Sequence, residues 1–286
     1  KREKITMNNL TQTNEWGQLS WSKWIPLKSE LTTYQQYISN KPGIYRVRSN
    51  SFSGLIYIGQ TGRNLRERTR ALAKHVYNSF DNPPWNDPHT AAPTLWAFRH
   101  EEQFDYEVSV AIKEDCNVAM RQSHEDYLLY LHRVEYGYST LANHGRRHPL
   151  WTKPSNKSKS RSMKQQLVKI LYPSFGKPGL NNEFKSPEWL GLEWSPSCPI
   201  KDIQPPNDSG VYKIFNDDGM LYCGESTSLK NRMTTHKRNA KFQGATVSYS
   251  IMKNALEHQL KEREVDLIGA YFELYGIHPR HQYSNG

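Results

Sequence analysis

Fourteen residues from Glu15 to Lys28 (EWGQLSWSKWIPLK) lie without a gap on fourteen from Glu188 to Lys201 (EWLGLEWSPSCPIK). Seven positions are identical, namely Glu15 with Glu188, Trp16 with Trp189, Leu19 with Leu192, Trp21 with Trp194, Ser22 with Ser195, Pro26 with Pro199 and Lys28 with Lys201. Tryptophan is rare, so two matched pairs are a poor product of chance, and a repeat decides how many units a chain folds into. Each block is followed by a similar run, Pro42-Gly43-Ile44-Tyr45 in one half and Ser209-Gly210-Val211-Tyr212 in the other. A chain of 286 residues has room for two units of about 100 to 200 residues. The repeat predicts a first domain over 1–146, a linker over 147–182 and a second domain over 183–286. The matched tryptophans are expected to pack, since an indole buries a large area.

The two halves also predict the same local structure. GIYRV (Gly43 to Val47) and LIYIG (Leu55 to Gly59) are β-rich runs around a Ser, Asn and Gly loop, the pattern of a hairpin. GVYKIF (Gly210 to Phe215) and MLYCG (Met220 to Gly224) flank Asn216-Asp217-Asp218-Gly219, a strong turn signal. A helix follows in both, with Asn64 or Ser228 placed to cap it and Leu65 or Leu229 opening the buried side. Arg68 and His75 are seven apart and Arg232 and His236 four apart, so each pair shares a helical face. A later helix carries Glu125 before Leu128-Leu129, or Glu264 before Leu267-Ile268, and a side-chain amide, Asn143 or Gln282, stands 18 residues beyond each Glu. The expected fold class is α+β, with two tandem domains, each a small antiparallel or mixed sheet flanked by helices.

The formal net charge is +10, which invites a polyanion, nucleic acid or an acidic membrane surface. Arg146, Arg147, Lys153, Lys157, Lys159, Arg161, Lys164, Lys169 and Lys177 supply nine positive charges between Arg146 and Asn182, where no acid occurs. The rest of the chain holds 29 basic and 28 acidic residues, so the surplus sits almost wholly in the expected linker. Pro149 to Ser162 reads as loop. Met163 to Tyr172 spaces its apolar residues near the helical period and predicts a short docked helix.

The ordered set Gly43-Ile44-Tyr45, Tyr57-Ile58-Gly59, Arg68, Glu125 and Asn143 resembles the GIY-YIG nuclease family. Gly210-Val211-Tyr212, Tyr222-Cys223-Gly224, Arg232, His236, Glu264 and Gln282 resemble it a second time. The resemblance covers roughly Pro42 to Asn143 and Ser209 to Gln282. It implies hydrolysis of a DNA phosphodiester by one divalent metal on a small α+β domain. An anionic phosphodiester requires positive charge on its nonbridging oxygens and an oriented water. Glu125 and Glu264 match the family's metal-binding Glu, suited to Mg²⁺ (or Mn²⁺) that keeps most of its waters. Arg68 and Arg232 match the Arg at the scissile phosphate, where a guanidinium can give two parallel bonds. Tyr45, Tyr57, Tyr212 and Tyr222 would border the water and phosphate, and either Tyr of a pair could activate the water. His236 could shuttle a proton, whereas the first half has Leu72 there and His75 a turn later. Asn143 matches the family's late Asn, and Gln282 departs from it. Val211, Cys223 and Gln282 mark the second set as the one expected to decay first.

These features predict a Mg²⁺-dependent, double-strand DNA endonuclease of restriction or defence type, a single-chain pseudo-dimer with one active site per strand. It would act as a monomer, with Arg146, Arg147, Lys153, Lys157, Lys159 and Arg161 on the DNA. The alternatives are a repair or mobile-element nuclease of the same chemistry, and a catalytically decayed DNA-binding protein. No GxxxxGK[ST] loop occurs, so no nucleotide cofactor is expected. Cys116, Cys198 and Cys223 are odd in number and widely spaced, against a disulfide framework or a CxxC zinc site. No run of about 18 apolar residues and no secretory core is evident, so no membrane partner and a cytoplasmic location are expected. Asn78 to His100 lengthens the first half, either as core or as a DNA-reading loop.

Overall fold

The computed structural model describes residues 11, 13–81, 83–84, 91–152 and 164–283. By packing, the chain divides into two units, one within Lys1–Asp115 and Thr140–Leu171 and the other within Cys116–Ser139 and Tyr172–Gly286. The expected boundary at 146 therefore gives way to an exchange. Residues 116–139 belong to the second unit, because the helix they form buries its face there.

In the first unit, β1 (Glu15–Trp16) and β2 (Leu19–Ser20) form a small ribbon ahead of β3 (Ile25–Pro26) and α1 (Leu31–Tyr37). The main sheet adds β4 (Gly43–Arg48), β5 (Leu55–Thr61) and β6 (Glu107–Ile112), ordered β3-β6-β4-β5 and wholly antiparallel. Helix α2 (Leu65–Val76) starts where Asn64 accepts the Glu67 N–H at 3.1 Å, the expected cap. Helix α3 (Ala92–Glu102) buries Leu95, Trp96 and Phe98, so the helical part of the long insertion is core, whereas Phe80 is exposed and Trp85 lies outside the described residues. A ribbon of β7 (Trp151–Thr152) and β8 (Lys164–Gln165) follows.

No helix forms over the described residues 164–172, contrary to the expected docked helix. Gln166 and Ile170 donate to the carbonyls of Leu150 and Pro149 instead, and the backbone bends at Leu167 and Val168. Leu167, Val168 and Leu171 are exposed, so a helix here would have had no apolar face to bury.

In the second unit, α4 (Val118–Tyr136) precedes β9 (Cys198–Pro199), β10 (Gly210–Asn216), β11 (Gly219–Ser226), α5 (Leu229–Lys237), β12 (Thr246–Ile251) and α6 (Glu257–Tyr275). Its sheet order, β9-β12-β10-β11, follows the same course as that of the first unit, again antiparallel throughout. Asn117 caps α4 and Ser228 caps α5. Helices α4 and α6 cross closely at Gly269, where a Cβ would stand 2.9 Å from the Asp126 carbonyl. At their contact, Arg133 donates to Asp266 at 2.8 Å and to Glu262 at 3.3 Å, all three fully buried. The Tyr127 and Phe272 rings lie 5.2 Å apart in the same contact.

The repeated tryptophans pack, as expected, around a charge. Trp21 donates its indole N–H to the Trp16 carbonyl at 2.9 Å, and Trp194 to the Trp189 carbonyl at 3.0 Å. The Arg46 guanidinium lies 4.2 Å from the Trp21 ring and 4.6 Å from Trp24, and donates to the carbonyls of Thr11 and Thr13. The Lys213 ammonium lies 4.0 Å from the Trp194 ring and donates to the Phe184 carbonyl at 2.6 Å. Both cations are almost wholly buried. Such a charge is tolerable only when donors are satisfied and aromatic faces stand in for water. Each cation follows a Tyr of the repeat by one residue, so strand alternation sends it to the tryptophan side and the Tyr to the other.

Candidate active site

The strand register explains the spacing of the repeated letters. Tyr45 pairs directly across from Gly59, and Tyr212 across from Gly224. A Cβ at Gly59 would stand 2.6 Å from the Tyr57 ring and 2.8 Å from the Tyr45 hydroxyl, and one at Gly224 would strike the Tyr212 hydroxyl. The earlier glycines serve the other neighbour strand. A Cβ at Gly43 would collide with the Ala111 carbonyl, and one at Gly210 with the Ser250 carbonyl. The letters thus bring two tyrosines together over a bare backbone, with ring centroids 5.8 Å apart in the first unit and 6.0 Å in the second.

The second unit assembles most of its predicted set. Arg232 Nε donates to the Tyr212 hydroxyl at 2.9 Å, and Nη2 to the Tyr222 hydroxyl at 3.4 Å. The Tyr212 hydroxyl and His236 Nε2 are 2.9 Å apart. Burial, with Arg232 beside it, pushes the His236 imidazole down to about 4, so the ring is neutral near pH 7 and can accept the Tyr212 proton. Burial and the neighbouring Tyr222 hold the Tyr212 phenol well above its ordinary value, despite Arg232. The edge of Arg232 expected to grip a phosphate with two parallel bonds is therefore engaged by tyrosine oxygens, which leaves Nη1.

Glu264 stands on α6. Burial, then Glu225 and Asp126, push its carboxyl up to about 8 against the pull of Arg232 and Lys261. No donor among the described residues hydrogen-bonds to it. A carboxylate raised by burial and like charge gains most from a cation, which fits a divalent ion held by one carboxylate and its own waters. No group of three or more His, Cys, Asp and Glu side chains disposed to hold a metal occurs among the described residues.

In the first unit, Tyr45 and Tyr57 lie on the neighbouring strands β4 and β5. Arg68 is half-buried on α2, His75 is half-buried two turns later, and the position four past Arg68 is the fully buried Leu72. Glu125, the expected metal ligand of the first set, is carried by α4 in the second unit. Asn143 accepts the Ile58 N–H at 3.1 Å and donates to the Ile58 carbonyl at 2.9 Å, while Thr140 donates to its Oδ1 at 2.7 Å. Gln282 accepts the Cys223 N–H at 3.0 Å. Both amides grip the residue between the second Tyr and its Gly.

Of the expected DNA contacts, Arg146 is half-buried and donates to the Thr140 carbonyl at 3.1 Å, and Arg147 is half-buried. Lys153, Lys157, Lys159 and Arg161 lie outside the described residues. Sequence reasoning missed a second basic stretch. From Ser226 to Leu256 there is no acid, against Lys230, Arg232, Lys237, Arg238, Lys241 and Lys253, and Lys230, Arg238 and Lys241 are exposed. The two carboxylates bounding that run, Glu225 and Glu257, line a hollow of about 390 Å³ with Ser226, Thr227, Arg232 and Lys261. Asp126 was also missed. Burial raises it to about 7 although Tyr283 donates to it.

Residues 208–272 match the family model of the GIY-YIG catalytic domain. The matched stretch holds Tyr212, Tyr222, Arg232, His236 and Glu264, and Gln282 lies beyond it. A GIY-YIG domain implies a nuclease and with it a DNA substrate, and such nucleases generally use divalent metal ions. Comparison with curated proteins and with solved structures returns no match. No helix among the described residues is long and apolar enough to cross a membrane.

Proposed function

We propose that the chain is a divalent-metal-dependent endonuclease of restriction or defence type. It cuts both strands of duplex DNA with one site from each half of the repeat, and works as a cytoplasmic monomer with Mg²⁺ (or Mn²⁺). The observation that carries the reading is the hydrogen-bonded line Arg232, Tyr212, His236 beside the Glu264 carboxylate, inside the matched stretch.

A bound divalent ion polarises phosphate oxygens and acidifies water, and Glu264 in the second half and Glu125 in the first are the residues to hold it. The remaining work falls to the side chains. Arg232 stabilises charge on the nonbridging oxygens as it builds. Tyr212 orients the attacking water, passes its hydroxyl proton to His236 Nε2 and takes one from the water, so no free phenolate is needed near pH 7. This assigns water activation to Tyr212 rather than Tyr222, whose ring borders the phosphate. Gln282 and Asn143 hold the strands beneath the tyrosines.

Plasmid cleavage in Mg²⁺ tests the reading. Glu125→Ala and Glu264→Ala are each expected to stop at nicked circles, and the double variant to leave supercoiled DNA. If the wild-type chain cuts no DNA, modified DNA included, the enzyme reading fails. Neutralising Lys153, Lys157, Lys159 and Arg161 is expected to flatten the slope of log affinity against log salt; an unchanged slope makes the segment a plain linker.

A further inference from the structure

The hollow beside Arg232 is walled by charges that do not pair. Glu225, Arg232, Glu257 and Lys261 all line it, yet among the described residues none of the four forms an ion pair. Glu257, Lys261 and Glu264 follow one another at i, i+4 and i+3 spacing along α6, which puts them on one face. Lys261 is close enough to both Glu264 and Glu225 to favour their charged forms. Its ammonium is exposed, whereas Arg232 has two of its nitrogens engaged by Tyr212 and Tyr222.

We propose that Lys261 is a catalytic residue of the second unit's site, a phosphate-binding cation that completes the grip Arg232 can only partly supply. The inference rests on the nuclease reading above. A phosphodiester in the transition state carries charge on two nonbridging oxygens, and one guanidinium with its Nε and Nη2 engaged leaves that charge undermatched. An ammonium on a flexible stem at the rim of the hollow can reach a phosphate as a point charge. At the equivalent places the first half has Gln60 for Glu225, Gln122 for Lys261 and Val118 for Glu257. All three charges are absent there, so the two sites are unequal and one strand is cut faster than the other.

The test is single-turnover cleavage of a duplex with each strand labelled separately, in Mg²⁺, using wild type, Lys261→Gln, Lys261→Arg and Glu264→Ala. Lys261→Gln is expected to slow one strand by roughly 10- to 100-fold through kcat more than KM, with Lys261→Arg recovering part of the loss. Because Lys261 is exposed, neither substitution disturbs the core. Equal rates on both strands for Lys261→Gln and wild type, with Glu264→Ala inactive, overturn the proposal and leave the nuclease reading standing. If wild type cuts nothing, that reading fails and duplex binding in EDTA judges Lys261. A salt slope smaller by about 0.9 for Lys261→Gln places a phosphate at this ammonium, and an unchanged slope removes it.

Discussion

The two units keep the same sheet order, the same Tyr-over-Gly register and the same glycine approaches, and differ in the ring of positions around the tyrosines. His236 in the second unit answers to Leu72 in the first and Glu225 to Gln60, while Lys261 answers in sequence to Gln122, which α4 carries in the second unit. The letters that had marked the second set for decay prove to be packing letters. Val211 and Cys223 are fully buried, as are Ile44 and Ile58, and Gln282 holds the same backbone N–H as Asn143. A motif read by its letters ranks the first copy higher. Read by what each letter touches, Val211, Cys223 and Gln282 are no marks against the second copy, and the family match falls on that one.

The hardest blow to this comparison would come from the arginines. Arg232→Ala is expected to slow its strand by about 1,000-fold, the scale of a lost transition-state donor, and Arg68→Ala to cost clearly less. Strand-resolved single-turnover rates measure both. Equal losses would make the two units catalytic equals and dissolve the ranking.

Next in size are the buried cations, where the units should behave alike. Lys213→Met leaves the Phe184 carbonyl without its donor and is expected to cost about 2 kcal/mol. Arg46→Met leaves the Thr11 and Thr13 carbonyls without theirs and should cost at least as much. Urea unfolding with the midpoint followed by tryptophan fluorescence reads both directly, since the cages are built of indoles. A loss under about 1 kcal/mol at either position would reduce its cage to ordinary packing.

How far the sequence foretold these features depends on the range of the forces involved. The hairpins, the Asn64 and Ser228 caps and the pairing of the tyrosines were legible because each is decided within a few residues by turn chemistry, alternation and capping. The tryptophan repeat was legible as packing, but the charge it encloses was not, since Arg46 and Lys213 read as ordinary strand cations until the fold closes over them. The placement of α4 was hidden because its partner, α6, lies more than a hundred residues on. Met163 to Tyr172 misled for the opposite reason: helical spacing proposes a face, and only a partner surface makes a helix of it. Glu225 and Lys261 were missed because the net charge of the second half is small. The acid-free run from Ser226 to Leu256, bounded by Glu225 and Glu257, was the signal that could have exposed the hollow.

The two amides give a finer contrast. Asn143 joins three hydrogen bonds, two of them to one backbone unit, while Gln282 holds the Cys223 N–H and is approached by its thiol at 3.5 Å. Asn143→Ala is expected to cost about 2 kcal/mol and Gln282→Ala about 1 kcal/mol, measured by the shift in urea midpoint. The reverse order would mean that the longer side chain is the better clamp, and would weaken the view that Gln282 is a tolerated departure.

The smallest effect separates the units by pH. In the folded chain the His236 imidazole is held down to about 4 by burial and Arg232, whereas in the unfolded chain an imidazole titrates near 6.5. Between those values the unfolded state binds more protons, so stability rises with pH across the window. The resulting penalty is absent above about pH 6.5, grows as the pH falls and is complete below about 4; at pH 6 it amounts to about 0.8 kcal/mol. Leu72, at the matching place in the first unit, contributes no such dependence. His236→Gln should therefore flatten the change in urea midpoint between pH 7 and pH 6 relative to wild type, while His148 and His281, which burial also lowers, contribute equally to both and cancel. A variant with the wild-type slope would show that the His236 imidazole titrates alike in the folded and unfolded chains. Burial and Arg232 would then not hold the ring down, and its neutrality beside Tyr212 would no longer be secured by the fold.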